Sequence, residues 1–468
     1  MEVQTFAGLA HSFQTLALAA LVFAACVYLP RINYNAQLAK LPAFGATSGE
    51  KQRNDYLKHG KRLYSEGYQK FMEVKYTKIL TDEPLITHSI KADLTPALAR
   101  LNSVVYAEVQ QAFEEEMPAC EDWTAVNIYS KLVNMVAKIT GRIFVGPELC
   151  RDENYQKLAI EYTMELVAAQ RDIKNVRPLF RPWYAPRLAS VKKLHEAERK
   201  AEEYLEPIIQ ARRDAEKNDP NWQKPDDMLS WFMSRQEEYG NRTPKHLAKM
   251  QLGLIFAAIH TTTLTATNIL YTLAVSTEYI EPLREEIRHV MAENGGTITT
   301  RALQQMIKLD SVMKETMRFY PPGFTTFTRK VLRGFTLSNG QYLPAGVNIE
   351  VASHAVYQDP DNHPNADPAD VFDGFRSYKL RQTGAASDHA RNQFVTTNEQ
   401  NLMFGYGRHA CPGRFFAANE IKMILARLLL DFDFQNEDGS KVRYPNLNFG
   451  KQSAVDASKK LLFKRVKV

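Results

Sequence analysis

The chain is expected to be mainly α with a small β portion, one large domain behind an N-terminal transmembrane helix. Three observations predict this. An almost unbroken apolar run occupies Thr15 to Leu29, long apolar segments of helical period continue as far as Pro321 and Pro322, and strand-like alternation around an Asn-Gly turn appears only after them. A length of 468 residues is enough to bury a large core, and 44% hydrophobic with 24% charged residues is ordinary for a globular protein. The net charge of +6 suits an acidic partner or a membrane surface. It is no nucleic-acid signature, because the basic residues are scattered rather than clustered with aromatics.

The elements follow in order. With its lead-in from Phe6 to Gln14, the apolar run approaches the roughly 20 residues that cross a bilayer, and Pro30 and Arg31 close it. A cleaved signal peptide would begin with positive charge, and no lysine or arginine precedes this run. Positive charge follows instead at Arg31, Lys40, Lys51, Arg53 and Lys58, which puts the body of the chain in the cytosol. Residues 1–30 therefore read as a membrane anchor, 31–50 as a hinge containing "LAKLPAFG", and 51–468 as the soluble domain. Long helices are predicted from Leu188 ("LASVKKLHEAERK…"), from Gln251 ("QLGLIFAAIHTTT…", apolar on nearly every face and hence buried), from Ile280 to a Gly-Gly cap, and from Met306 to the Pro pair. "GFTLSNGQYL" is a hairpin turning at Asn339 and Gly340, and "GVNIEVAS" is the next strand.

Three motifs carry chemistry. In "FGYGRHACPG", Gly405 and Gly407 permit a tight bulged loop, and Cys411 falls at the start of a helix with Pro412 in its first turn. There a sulfur faces unpaired N–H groups and the positive helix end, which favours thiolate, and Gly413 leaves room for something flat. Such a thiolate suits an axial ligand to haem iron; a buried free cysteine at a helix N-terminus is the plainer alternative. Cys26, Cys120 and Cys150 lie far from it in no framework spacing, which points to a reducing compartment. Glu315 and Arg318 in "KETMRF" share one helix face, a spacing found most often in solvated surface pairs. In "AAIHTT", the four polar residues His260 to Thr263 interrupt a buried helix, and Thr261 is placed to bond back to the Ala257 carbonyl. Satisfaction by a neighbouring helix is the alternative there.

Taken together, these stretches resemble the cytochrome P-450 monooxygenases. Phe404, Gly405, Gly407, His409, Cys411 and Gly413 stand at the defining positions of that family's haem-binding signature. The resemblance implies the cytochrome P-450 fold, haem b (heme b) with Cys411 as its iron ligand, and Phe404 packed beside it. It implies haem propionates held by His409, Arg408, Arg329 in "TFTRKV" and Lys91. It makes Glu315 and Arg318 a buried structural lock completed by Arg376 in "FDGFRSY", whose loss of one member costs about 3–5 kcal/mol. Thr261, with water or with His260 in place of the family's acid, becomes the group steering protons to dioxygen. The activity implied is insertion of one atom of O2 into a hydrophobic small molecule, with electrons from NADPH through NADPH–cytochrome P-450 reductase. That partner would dock where Arg408, Arg414, Lys422 and Arg427 offer positive charge. The wording "AAIHTT", "GRHACPGRFFA", "FDGFR" and "LTPALARLN" is most similar to filamentous-fungal members acting on terpenoid and related secondary metabolites. Such members sit in the endoplasmic reticulum membrane by one span, with lipid around it and the catalytic domain in the cytosol.

One region departs from the family. Between about residues 68 and 90 the chain lacks the strands and helix that members carry, so several tens of residues are expected to be absent. Two other readings stay open on that account: a haem-poor or inactive membrane protein, and a haem-thiolate enzyme that rearranges its substrate without net hydroxylation.

Overall fold

The computed structural model describes residues 68–466 apart from 82, 237, 241–242, 364–366 and 384–385; the anchor and hinge expected over residues 1–50 lie outside them. The helices that build the architecture, labelled in chain order, are α1 (Thr95–Glu116), α2 (Ile128–Phe144), α3 (Glu153–Asn175), α4 (Ala189–Asn218), α5 (Pro244–Leu273), α6 (Ile280–Glu293), α7 (Ile307–Phe319), α8 (Arg376–Thr383) and α9 (Arg414–Asp431). Each start has a local cause. Asn127 and Asp152 accept from the Ser130 and Tyr155 amides ahead of α2 and α3. Thr243 caps α5 through the His246 amide, with Pro244 in the first position, where its missing N–H costs nothing. The helix expected from Gln251 therefore begins seven residues earlier. At the end of α6, Gly295 and Gly296 take φ of 73° and 78°, and the Gly296 amide donates to the Met291 carbonyl, a left-handed cap.

Helix α5 occupies the centre, packed against α2, α3, α4, α7 and α9. Its apolar surface runs nearly all round because it has neighbours nearly all round; Leu247, Leu252, Ile259, Ile269 and Leu270 are buried. By length and hydropathy alone it passes as a membrane span, but it is a core helix.

The β portion is small. The expected hairpin is present as β3 (Phe335–Thr336) and β4 (Tyr342–Leu343), with Gly340 at φ 85° in its turn. Strand β2 (Thr326–Lys330) pairs antiparallel with β5 (Asn348–Val351) through a bulge. The expectation that strands begin only after α7 needs correction. Strand β1 (Thr124–Val126) precedes α2 and pairs with β9 (Leu461–Arg465), which also pairs with β6 (Phe432–Asn436). Three residues are too few for an alternating pattern to show, and the partner lies over 330 residues away. Strands β7 (Leu447–Phe449) and β8 (Gln452–Ala454) form a second hairpin. Among the described residues, nothing before Thr124 is a strand, and β5 pairs only with β2.

Candidate active site

The loop before α9 is closed by its own backbone. The Cys411 amide donates to the Phe404 carbonyl at 2.7 Å, and Gly405 and Gly407 turn the chain between them at φ of 73° and 67°. Phe404 anchors one side edge-on to the buried Phe394, ring centroids 5.2 Å apart. Arg414 clamps the other, donating to the Cys411 carbonyl at 2.9 Å and to the Val395 carbonyl at 3.1 Å. The helix itself starts at Arg414 with Gly413 as its cap, so Cys411 precedes the first turn rather than opening it. Its side chain is exposed, and a Cβ built on Gly413 meets nothing within 4 Å.

The expectation of a thiolate held by the helix end is corrected. Although the side chain reaches the surface, the protein atoms crowded round the sulfur desolvate it and raise the Cys411 thiol above its ordinary pKa, and the Gly413 and Arg414 amides and the Arg414 charge offset this only in part. A bound metal cation, not the helix end, would be what deprotonates this sulfur.

On α5 the pattern of exposure is informative. Ala257 and Thr261 are exposed in the middle of the buried core helix, one turn apart on one face. The Thr261 hydroxyl donates to the Ala257 carbonyl at 2.6 Å, the back-bond that the spacing predicts. Its oxygen keeps lone pairs for a further donor. His260 is not brought to that face. Its ring nitrogens lie 3.3 Å from the Tyr129 hydroxyl and 2.9 Å from the Ile160 carbonyl.

Glu315, Arg318 and Arg376 do come together, and all three are buried. Arg318 grips the carboxylate with two bonds of 2.8 Å, Arg376 adds a third at 3.1 Å, and the Asp373 amide a fourth at 3.1 Å. The remaining guanidinium hydrogens go to the carbonyls of Tyr357, Ala369, Asp367, Pro368 and Val371. Burial alone would raise the Glu315 pKa, but the hydrogen bonds and charges of the two arginines outweigh it and hold the pKa below the usual glutamate value.

The remaining residues are scattered round the loop. Arg329 on β2 is buried, donates to the Thr328 carbonyl and stacks 3.8 Å over the Phe327 ring, beside a backbone strained at Phe327 (φ 58°). His409 is half-buried in a short 3₁₀ turn with Gly407 and Arg408, and Arg408 is exposed. Lys91 is exposed in a π-helical turn ahead of α1. Of the basic side chains expected to face an acidic partner, Lys422 is buried instead. It pairs with Asp310 at 2.7 Å and donates to the Leu303 carbonyl, because α9 turns that face inward against α7. Arg427 is spent on Asp431 and Arg414 on the loop. A cavity of about 940 Å³ lies beside β2 and the residues just before the loop, lined by Met403, Thr326, Pro321 and Phe449 together with charged side chains such as Lys174 and Glu350.

One titratable residue escaped the sequence reading. Glu420, on the buried face of α9, accepts from the Thr140 hydroxyl at 2.9 Å, and its second oxygen has no partner among the described residues. Burial pushes its pKa up to about 8. The signal was a lone acid four residues after Phe416 on an apolar helical stripe.

The cytochrome P450 family model matches residues 80–460. Cytochrome P-450 monooxygenase TES1 of Alternaria alternata is 34% identical over 99% of this chain and 96% of its own length. That alignment runs over 495 positions, more than the 468 residues available, so it opens gaps in this chain. Cytochrome P-450 monooxygenase ATR3 of Stachybotrys chlorohalonatus is 37% identical over 97% and 96%. The paxP monooxygenase of Penicillium paxilli is 38% identical over 83% and 74%. Among solved structures, retinoic acid bound cyanobacterial CYP120A1 shares the fold with a TM-score of 0.65, 18% identity, and coverage of 89% of this chain and 87% of that one. The chain belongs to the cytochrome P-450 family, and fungal cytochrome P-450 monooxygenases are among its relatives.

Proposed function

We propose that this protein is a haem-thiolate monooxygenase whose iron ligand is Cys411, acting on a terpenoid or related fungal secondary metabolite. The observation that carries the assignment is the Cys411 loop: a sulfur left exposed, a backbone closed tightly behind it, and open space at Gly413. Residues present there fit haem b. Cys411 supplies the soft ligand, Phe404 packs the loop against the core, and Arg329, His409, Arg408 and Lys91 are the candidates for the propionates. Bound haem supplies an iron that activates O2, and thiolate donation favours O–O cleavage.

The chain's own residues do the rest. Thr261, exposed in the middle of α5, holds water at its hydroxyl and so passes protons toward the space beside it. The Glu315–Arg318–Arg376 lock fixes α7 to the segment before the loop and keeps the loop in place. The 940 Å³ cavity is of a size that takes a small molecule, with Phe71, Pro321, Pro322, Met403 and Phe449 on its apolar side and charged side chains such as Glu73, Arg181 and Lys451 elsewhere in its lining. Electrons come from NADPH through NADPH–cytochrome P-450 reductase, and residues 1–30 anchor the enzyme in the endoplasmic reticulum membrane with the catalytic domain in the cytosol.

A second reading, a haem-poor membrane protein, is favoured by one observation: among the described residues β5 has no second neighbour and no strand precedes Thr124. The carbon monoxide difference spectrum of the reduced full-length protein in microsomes decides between them. A strongly red-shifted Soret band, lost in Cys411→Ala, supports the thiolate assignment. Its absence from well-expressed protein supports the haem-poor reading.

A further inference from the structure

We infer that His260 is a positioning residue that ties the middle of α5 to α2 and α3, and is not the proton donor beside Thr261; this rests on the haem-thiolate reading above. A carbonyl only accepts, so the Nε2 atom facing Ile160 at 2.9 Å carries the hydrogen. Nδ1 is then the acceptor for the Tyr129 hydroxyl at 3.3 Å. One neutral tautomer satisfies both bonds, and burial raises the Tyr129 pKa, which keeps its hydroxyl a donor.

Direction agrees with this. Consecutive helical residues point about 100° apart, and His260 is held toward α2 and α3 while Thr261 shares the exposed face of Ala257. The place also needs a brace. Thr261, Thr263, Thr265 and Thr267 each donate to a carbonyl one turn back, competing with the helix for its own acceptors and loosening it. A lateral tie from His260 to the Tyr129 hydroxyl on α2 and a carbonyl of α3 holds that stretch in register. It thereby fixes the aim of Thr261.

The test uses the full-length protein with His260→Phe, His260→Gln and Tyr129→Phe. Glutamine keeps an N–H and a carbonyl for the two partners but does not titrate, so it separates a tie from a relay. Backbone hydrogen exchange over residues 160–167 of α3 is expected to quicken about tenfold in His260→Phe and Tyr129→Phe, the effect of one ordinary hydrogen bond. It stays near the parent rate in His260→Gln. Product formed per NADPH follows the same order, with the pH profile of His260→Gln unchanged. The opposite pattern overturns the inference: His260→Gln as impaired as His260→Phe, Tyr129→Phe unaffected, and exchange unmoved. If His260→Phe does not fold, Tyr129→Phe against His260→Gln carries the same contrast. Hydrogen exchange needs no haem, so a missing carbon monoxide band would sink the haem reading while leaving this tie separately measured.

Discussion

Two buried glutamates make an instructive pair. Glu315 and Glu420 are 2% and 0% exposed, so desolvation works against the charge of both. Yet Glu315 is held below the usual glutamate range and Glu420 is pushed up to about 8. The difference is the company each keeps. Glu315 meets two guanidiniums and a backbone amide, whereas Glu420 meets one threonine hydroxyl. Burial sets what the charge costs, and the partners decide whether the charge survives.

The largest effect that sharpens this contrast is at the lock. Glu315→Gln leaves two buried guanidiniums without their anion, and a loss of about 3–5 kcal/mol in unfolding free energy is expected. Urea unfolding of the detergent-solubilised chain, followed by the carbon monoxide band and by tryptophan fluorescence, reads it. A shift under about 1 kcal/mol would mean that the carbonyls round Arg318 and Arg376 hold the lock alone.

The second contrast is in pH. Glu420 is protonated when folded and ionised when unfolded between the usual glutamate pKa and about 8, so the stability it contributes is full below that window. It falls as pH rises, by a few kcal/mol, and levels off above about 8. For Glu315 the sign is reversed: its contribution is present above the unfolded pKa and is lost as pH falls through the depressed folded value. Glu420→Gln should flatten the slope between pH 5 and about 8 while leaving stability at neutrality equal or higher. A slope that survives the substitution assigns it elsewhere.

Thr140→Val tests the same carboxyl from its partner's side. Removing its single donor should cost about 1 kcal/mol at pH 6 and drive the Glu420 pKa higher still, moving the end of the slope toward alkaline pH. The smallest change is expected at Arg100, whose bidentate pair with Asp226 is largely exposed. Arg100→Ala should alter unfolding by under about 1 kcal/mol, and added salt should erase the difference.

Much of the site was legible because its chemistry is local. The glycines that turn the Cys411 loop, the back-bond from Thr261 to Ala257 and the i,i+3 reach of Arg318 to Glu315 are consequences of backbone geometry within a few residues. What was misread depended on which way a helix face is turned. Lys422 reads as a surface cation, yet α9 is covered on that side and Asp310 receives it. His260 reads as a companion of Thr261, yet Tyr129 and Ile160 from two other helices claim it. Glu420 went unremarked because one acid on an apolar stripe carries no pattern of its own.

The amino-acid order by itself determined the class of fold, the glycine-shaped cysteine loop, the central apolar helix and the late hairpin, because periodicity and turn chemistry act over short distances. Tertiary structure alone decided where β1 finds its partner, which way His260 turns, and which of two buried glutamates keeps its charge. Those outcomes depend on groups tens to hundreds of residues apart, and in a low-dielectric interior the nearest few ångströms set the balance between desolvation and pairing.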